Sequence, residues 1–523
     1  MEVFKDTMTK KQSPNKFQIP NSKNFVNWLW GIGYCLYLVS WLLVILPNAA
    51  AQQPETMPVP DGIYALSLDD VTRLALMNNF DIQLAKYDAR IARTGEDRAE
   101  SIYDLLLKAD IGYTNDQRAR SSTFAGTKNL ENVYSLGLSQ KTPFGATLDI
   151  DAGDTRTWTN SSFATLNPAH DSELRLTWKQ DLGRNLFGIQ DRGKIKVSLL
   201  NIENSRYTSA EKIEEYLAGV QKMYSNYALA LEAVRIEERM VAQAKKLYDL
   251  HQEKIKDGLT EEPELFAAEA NYHSRLNELL IAGNTAKSKE NALKLMLNID
   301  DEAVSLSPTE PFALDKSKQD KNLSLKGAFE NRRDYKRAAN TLKVRDIELV
   351  MDHNNLWPEV NLEISFARNG VGPHLSSAFS DIGGETNPEF STGVSVEFPL
   401  QNREARADVR AGELQKAKSI LQMKYLERAI TTEIIDHVRS CNILQEAAVN
   451  AEKIAALQRR KLEEEEKRFN SGRSDTDTLI RFQEDVIQAE LQALRSKLNY
   501  YSAVIDLRVA ENALLTAYGD EEI

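Results

Sequence analysis

The 523-residue sequence predicts a mainly α-helical protein that also carries a membrane β-barrel portion. Long stretches rich in Ala, Leu, Glu, Lys, Arg and Gln favour long helices and coiled coils. Shorter stretches alternate polar and apolar residues, which is typical of strands with one wet and one apolar face. Both kinds of segment recur in the same order along the chain, and such repetition predicts two halves of similar architecture.

The long helices are predicted by the spacing of their apolar residues. In a stretch over 194–256, which contains no Pro and one Gly, apolar residues recur from Ile213 to Val234 at alternating steps of four and three. This spacing is typical of a coiled-coil seam. At about 1.5 Å per residue, some 60 residues extend roughly 90 Å, more than a globular domain needs. A second helix is predicted over 262–297, and the second half repeats the pair over 411–468 and from Leu479 onwards.

Two glycine turns separate the paired helices. The first is centred on Gly258 and follows Lys254 by four residues, and the second is centred on Gly472 and follows Arg468 by four residues. Glycine in such a position ends a helix, because it adopts the left-handed backbone conformation readily. The matching form of the two turns supports the two-half organisation.

Alternating segments predict the strands. The pattern is strong over 174–179, 360–366 and 390–398, and weaker around Ile111. A further hairpin is predicted over 133–152, with its turn at Thr142-Pro143-Phe144-Gly145. Strands with one apolar and one polar face suit a water-lined barrel in lipid, while a soluble β-domain packed on a core is the alternative. No other part of the sequence offers the second layer that such a core needs.

The first 51 residues have the features of an export signal. Five Lys residues precede an apolar stretch from Phe25 to Leu46, and Ala49 and Ala51 fit a cleavage site that leaves Gln52 first. An uncleaved anchor is the alternative, because the stretch is long enough to span a bilayer. We therefore predict a signal peptide at 1–51, a linker at 52–65, and structural repeats at 66–315 and 316–523.

Composition and motifs exclude several function classes. Removal of residues 1–51 lowers the formal net charge from −12 to −15, which disfavours nucleic acid as a partner. Only Cys441 then remains, so an internal disulfide is excluded. The six His residues lack metal-ligand spacing, and no phosphate-binding loop or catalytic serine motif occurs. We expect no enzyme activity, no cofactor and no metal.

The run Glu463 to Glu466 predicts a solvated helix face with ion pairs to Lys467 and Arg468 four residues on.

Several motifs occur in a characteristic order. Asn78 and Asp81 in the first half correspond to Asn331 and Asp334 in the second. The second half adds Trp357-Pro358-Glu359-Val360 entering a strand and Phe398-Pro399-Leu400 leaving one. With the two glycine turns, this order resembles that of the TolC outer-membrane efflux protein family. The resemblance covers the chain from about Leu66 to Tyr518.

The resemblance implies a homotrimer located in the cell outer membrane. Each protomer would give strands to one shared β-barrel and helices to a shared coiled-coil α-barrel that extends into the periplasm. Its implied partners are a periplasmic adaptor protein, an inner-membrane pump and outer-membrane lipid. Physical reasoning independently favours an oligomer, because one chain offers four to six strands whereas single-chain barrels begin at about eight. Open strand edges in lipid must be closed by further copies.

The resemblance also places the glycine turns at periplasmic tips that close the channel. The candidate gate residues are the two glycines with the charged residues that follow them: Gly258, Glu261, Glu262, Glu264, Gly472, Arg473, Asp475 and Asp477. The family often has aspartates nearest the positions of Thr478 and Arg481, so the acids here are displaced. A ring of carboxylates from several copies would attract cations, and Arg473 could pair with one of them. The alternative is that these acids are solvated and favour the helix dipole.

The family pattern has two strands in each half, so the hairpin at 133–152 is additional. We expect the strands near Ile111 and Leu174 to be the core strands of the first half, with the hairpin in an extracellular loop or the lumen. A larger barrel is the alternative.

The predicted function is a passive exit duct of a tripartite efflux or type I secretion system. The alternative is a periplasmic coiled-coil scaffold or adaptor without a pore.

Overall fold

A computed structural model gives the fold of the chain. It describes residues 63–120, 124, 126–258, 261–300, 304–309, 314, 317–384 and 388–518. The predicted signal peptide at 1–51, most of the predicted linker and the predicted boundary between the two repeats lie outside the described residues.

Helices make up most of this part of the chain. Their bounds are α1 Leu68–Asn78, α2 Phe80–Arg93, α3 Gly95–Glu100, α4 Ile189–Lys256, α5 Glu262–Met296, α6 Lys321–Asn331, α7 Arg333–Asn354, α8 Leu375–Ile382, α9 Arg403–Asn470 and α10 Thr476–Ala510. None of the helices in the described ranges combines the length and the apolarity that a membrane span requires.

The long helices occur as two hairpins of equal dimensions. Helices α4 and α9 each have 68 residues, and α5 and α10 each have 35. Helices α1 and α6 also match, with 11 residues each. Both long helices begin before the predicted starts at 194 and 411, because left-handed Gly188 and Asn402 define their N-termini. A single shift in numbering therefore carries the first hairpin onto the second.

The strands form two sheets. Their bounds are β1 Ile63–Leu66, β2 Leu106–Asp116, β3 Asn129–Lys141, β4 Ala146–Thr159, β5 Ala169–Asp181, β6 Ser305–Pro308, β7 Glu359–Gly372 and β8 Pro388–Glu397. The larger sheet is antiparallel throughout and has the order β2-β3-β4-β5-β7-β8. In the smaller sheet, β1 pairs with β6 in parallel, which the sequence patterns did not predict.

The position expected for the additional hairpin is wrong. Its strands β3 and β4 lie inside the six-stranded sheet and are paired on both sides, so they are not an appended loop. The first half therefore contributes four strands to this sheet and the second half contributes two. Alternation fixed the faces of β3 and β4, but the expectation for their neighbours came from the family pattern, which this chain does not follow.

The largest core cluster lies where the smaller sheet meets α4. The Tyr224 hydroxyl donates to the Leu66 carbonyl at 2.9 Å, and the Tyr227 hydroxyl donates to the Leu306 carbonyl at 2.6 Å. Both tyrosines are buried among aliphatic residues of α1, α2 and α5. Two residues predicted to lie on the coiled-coil seam thus also anchor both strands of the smaller sheet.

A buried ion pair ties α4 to the start of α7 and to the chain after α10. The Glu214 carboxylate accepts hydrogen bonds from Arg333 and from the backbone N–H of Leu514, the latter at 2.7 Å. Asn512 donates to the same carboxylate at 3.1 Å. Burial raises the pKa of Glu214, and the charge of Arg333 opposes that shift. Because a buried charge needs such partners, this network fixes the C-terminal segment against α4.

Candidate functional site: the tips and the seam between the hairpins

Both predicted turns are present and have nearly the same geometry. Gly258 has φ +70° and Gly472 has φ +72°. The Gly258 N–H donates to the Ile255 carbonyl at 3.0 Å, and the Gly472 N–H donates to the Phe469 carbonyl at 2.9 Å. A Cβ atom at either glycine would meet nothing within 4 Å. Glycine is therefore needed for its backbone conformation and not for space.

The acids after the first turn lie at the start of α5. Glu261 is the N-cap residue, yet its side chain makes no capping hydrogen bond. Glu262 and Glu264 lie in the first turn, where the helix dipole favours negative charge. Glu261 and Glu262 are exposed, and Glu264 is half-buried. This geometry leaves three carboxylates close together at one tip.

The acids after the second turn have different roles. The Asp475 carboxylate caps α10 by accepting the Thr478 N–H at 2.7 Å, and this hydrogen bond lowers the pKa of Asp475. Asp477 is exposed in the first turn of α10. Among the described residues, Arg473 forms no ion pair with either aspartate, and the pairing of Arg473 with one of the tip acids stays a prediction. For Asp475 the geometry supplies the helix-capping role directly.

The two tips are joined by a buried histidine. The Nε2 atom of His251, in α4, lies 3.0 Å from the Thr476 hydroxyl at the start of α10. Its ring also packs against Phe469, with ring centroids 6.1 Å apart, and the Lys254 ammonium lies 5.1 Å from the centre of the same phenyl ring. Burial lowers the pKa of His251, nearby Lys254 lowers it further, and Glu264 opposes the shift.

The glutamate run before the second turn departs from its prediction. Glu465 is buried rather than solvated, and it accepts a hydrogen bond from the Ser474 hydroxyl at 2.5 Å. The predicted pairs four residues apart are replaced by pairs three residues apart: Glu464 with Lys467 at 2.7 Å, and Glu465 with Arg468 at 3.6 Å. Because the last turns of α9 pack against the tip, the Glu465 side chain is directed inward.

Charged contacts extend from the tips along the boundary between the hairpins, which we term the seam. On the first hairpin its residues are Lys222, Arg239, His251 and Arg275, and on α10 they are Thr476, Glu484, Glu490 and Asp506. The Lys222 and Asp506 side chains lie 2.5 Å apart. These four polar contacts of the second hairpin to the first all come from helix α10, whereas Phe469 of α9 adds a ring contact to His251.

Glu490 is the most buried acid of the seam. Its carboxylate accepts from Arg239 at 2.8 Å and also from Arg459, which lies on α9. The glutamate side chain is 3% exposed, while both arginine side chains are about half exposed. One carboxylate therefore joins three helices, and both of its cationic partners have access to water.

A second charged group of the seam is centred on Arg275 of α5. Arg275 donates to Glu278 at 2.6 Å and to Glu484 across the seam. Glu237, on α4, is buried beside this group. Burial raises its pKa, the charges of Glu278 and Glu484 raise it further, and Arg275 opposes them. The Glu237 Oε2 atom has no hydrogen-bond partner among the described residues.

Sequence reasoning located the turns but missed the seam. A signal was present, since His251 lies four residues after buried Leu247, and Glu490 lies four residues after buried Val486. A polar residue on a buried stripe needs a partner. That signal identifies which buried polar residues need a partner. Which residue becomes the partner depends on how the two helical hairpins pack. In the described ranges, no cluster of three or more His, Cys, Asp or Glu side chains could hold a metal ion.

No protein-family model matches the sequence, and no curated protein matches it. Solved structures do match the fold. The outer membrane channel CmeC of Campylobacter jejuni aligns with a TM-score of 0.63 at 15% identity, covering 87% of this chain and 89% of CmeC. The chain has the TolC-like channel fold. The open-state MtrE channel of Neisseria gonorrhoeae aligns with a TM-score of 0.62 at 16% identity, covering 85% of this chain and 88% of MtrE.

CusC, described as forming a transmembrane channel, aligns with a TM-score of 0.63 at 14% identity, covering 89% of this chain and 99% of CusC. These neighbours are channel proteins and not enzymes. The TolC-like fold accounts for the main features described above, namely the mostly helical chain and the sheet portion.

Proposed function

We propose that this chain is a protomer of an outer-membrane exit duct. It would serve a tripartite efflux or type I secretion system, passively conducting substrates from a periplasmic adaptor and an inner-membrane pump to the exterior. The observation that carries the proposal is the joining of a two-faced sheet to helices of 68 residues in one chain. At about 1.5 Å per residue, each such helix is roughly 100 Å long.

The exposed apolar face of the sheet supports placement in the outer membrane. Leu174, Trp178 and Phe366 project from one face of neighbouring strands and are each more than 40% exposed. In water, an apolar face of this size would be covered by another layer. Lipid would cover it here, while the opposite face lines a water-filled path in a shared barrel.

A homotrimer is supported by apolar side chains that the chain leaves uncovered. Leu414, Leu421 and Tyr425 lie at steps of seven and four along α9, and each is at least 67% exposed. This spacing places them on one stripe of the helix, which suits packing against another copy. Three is the number that the family resemblance implies, and cyclic symmetry closes such a ring with one repeated interface.

The equal hairpins support a duplicated chain. A single shift in numbering carries α4 and α5 onto α9 and α10 and also carries Gly258 onto Gly472. We propose structural repeats at 66–315 and 316–523, each built of a helical start, strands and a long hairpin. The hairpins would extend into the periplasm, and the tips with their acids would form the gate and the contact with the adaptor.

The second candidate function is a periplasmic coiled-coil scaffold or adaptor without a pore. The long hairpins by themselves fit that function equally well. The sheet does not, because a scaffold in water gains nothing from an exposed apolar face on neighbouring strands. The sheet therefore favours the exit duct.

Conductance in a planar lipid bilayer tests the proposal. We expect the purified trimer to be mostly closed and to prefer cations, because carboxylates at the tips attract them. Replacement of Asp475 and Asp477 by Ala together removes a helix cap and two charges, and should increase the time spent open. Asp436→Ala, on an exposed face of α9 away from the tips, is the control. Absence of conductance in all three proteins, with the trimer intact, would contradict the proposal.

A further inference from the structure

The hairpin formed by β3 and β4 occupies the middle of the first half's contribution to the sheet. Leu136 of β3 pairs with Ala109 of β2 on one side and with Ala152 of β4 on the other. Strand β4 in turn pairs with β5 over twelve residues, from Ala146 to Thr157. Both strands of the β-hairpin are therefore hydrogen-bonded into the sheet on each side, and no unpaired edge separates the β-hairpin from the other strands.

One face of the sheet carries an apolar band that crosses all six strands, including β3 and β4. Beyond this band the same face is polar, with Asp154 and His170 only 2.9 Å apart. The register places the following exposed side chains on that face: Leu107, Ile111, Tyr113, Leu136, Leu138, Leu148, Ile150, Leu174, Leu176, Trp178, Phe366, Phe390, Val394 and Val396. The band neither stops nor changes face at the hairpin. Whatever covers this face of β5 and β7 must therefore also cover β3 and β4.

The opposite face is polar across the same strands. Ser139 of β3 donates to Asp149 of β4 at 2.5 Å, and Lys179 of β5 approaches the same carboxylate at 3.4 Å. Further along the sheet, the hydroxyls of Ser365 and Ser391 lie 2.7 Å apart on β7 and β8. Both faces of the hairpin strands thus continue the faces of their neighbours, as a lipid-spanning wall requires.

The two edges of the sheet are complementary. Strands β2 and β8 have 11 and 10 residues, and in the described chain each pairs with one neighbour only. Strand β2 runs away from the helical end of the chain, whereas β8 runs back towards α9, so they are antiparallel. The β8 edge of one copy can therefore continue into the β2 edge of the next as an antiparallel pair.

We propose that three copies close one barrel of eighteen strands, in which the β3–β4 hairpin forms part of the membrane wall. This inference rests on the proposed trimeric channel. Since strands lie about 4.8 Å apart and tilt by about 40°, eighteen strands give a backbone diameter of roughly 36 Å, against roughly 24 Å for twelve. The membrane end is then wide enough for bulky hydrophilic substrates, and size selection is left to the helical tips.

Accessibility of single cysteines tests the wall directly. The full-length protein, with Cys35 and Cys441 replaced by Ser, is placed in lipid membranes. Asp151→Cys and Ile150→Cys report on the polar and apolar faces of β4. Glu363→Cys and Phe366→Cys are the matched pair on β7. All four native side chains are exposed in one copy, and the two apolar ones, Ile150 and Phe366, are 40% and 42% exposed. A membrane-impermeant maleimide and a lipid-soluble maleimide are compared.

We expect the impermeant reagent to label Asp151→Cys and Glu363→Cys, and to label Ile150→Cys and Phe366→Cys at least tenfold more slowly. The lipid-soluble reagent should reach the latter two. If only the β7 pair shows this contrast and both β4 positions react freely, the hairpin lies outside the wall and the inference is wrong, while the channel stands. If neither pair shows it, the sheet is not in lipid and the proposed function fails as well.

Discussion

The Nε2 atom of His251 lies 3.0 Å from the hydroxyl oxygen of Thr476. This contact joins the end of α4 to the start of α10. The imidazole is only 2% exposed. It faces Lys254 on its own helix and Glu264 on α5, with Phe469 of α9 against the ring. A single side chain thus touches or faces all four helices of the two hairpins at the tip.

Acidification should loosen the tips through His251. Burial lowers its folded-state pKa below the ordinary 6.5, so the unfolded or opened state binds the proton more readily. The contribution of neutral His251 to the stability of the folded tips is therefore complete above about pH 6.5. This contribution is lost as the pH falls below that value. We expect proteolysis at the tips and open-channel time to increase between about pH 7 and pH 5.

His251→Gln should reduce that pH dependence, because an amide retains polar contacts and does not titrate. His273→Gln is a matched control, since His273 is exposed on the neighbouring helix of the same hairpin. An unchanged pH profile in His251→Gln would assign the acid response to other groups.

Glu490→Gln should open the seam. The substitution removes the charge to which Arg239 and Arg459 donate, and a hydrogen bond to a charged group contributes about 1.5–3 kcal/mol. Both arginines can turn to water, so the loss should lie at the lower end of that range. We expect a lower thermal midpoint and more frequent openings in bilayer recordings.

Asp485→Asn is the control for the seam. Asp485 lies on the same helix α10 and pairs with Lys461 at 2.8 Å, but this contact joins α9 and α10 within one hairpin. It should leave the opening frequency close to that of the native protein. Equal effects of Asp485→Asn and Glu490→Gln would show that the seam has no special part in gating.

Substitutions of Asp475 separate helix capping from gate charge. Ser is also a good N-cap residue, whereas Ala is not. Because the Asp475 carboxylate accepts the Thr478 N–H, we expect Asp475→Ser to remain mostly closed and Asp475→Ala to open more often. Bilayer recordings and proteolysis at the tip provide the measurement. Similar opening of both variants would instead assign closure to the carboxylate charge.

Leu421→Asp should weaken the assembly without unfolding the protomer. Leu421 is 67% exposed in one copy, whereas Ile434 on the same helix is fully buried. Burial of a leucine side chain contributes about 1.5–3 kcal/mol, so its loss should weaken each contact between copies at least tenfold. Mass measurement in detergent should reveal monomers while the helical content is retained. Ile434→Asp, by contrast, should unfold the protomer. A fully trimeric Leu421→Asp would place the copy contact elsewhere.

The helical hairpins could be predicted closely from sequence. Stripes of apolar residues and the glycines at 258 and 472 depend on local periodicity and backbone conformation. They therefore gave the ends of all four long helices at the glycine turns to within three residues. The exceptions were the starts of α4 and α9, where left-handed Gly188 and Asn402 set the boundary, and the Asn402 side chain donates to the carbonyl of distant Leu356.

The alternating segments determined which residues share a face of each strand, because that face depends only on the two-residue period of the backbone. Which strands become neighbours depends on pairing between distant segments, and only the tertiary structure placed β3 and β4 within the six-stranded sheet. The seam has the same origin. The sequence determined that His251 and Glu490 lie on buried stripes. The packing of two hairpins that are far apart in the sequence decided that Thr476 is the partner of His251 and Arg239 a partner of Glu490.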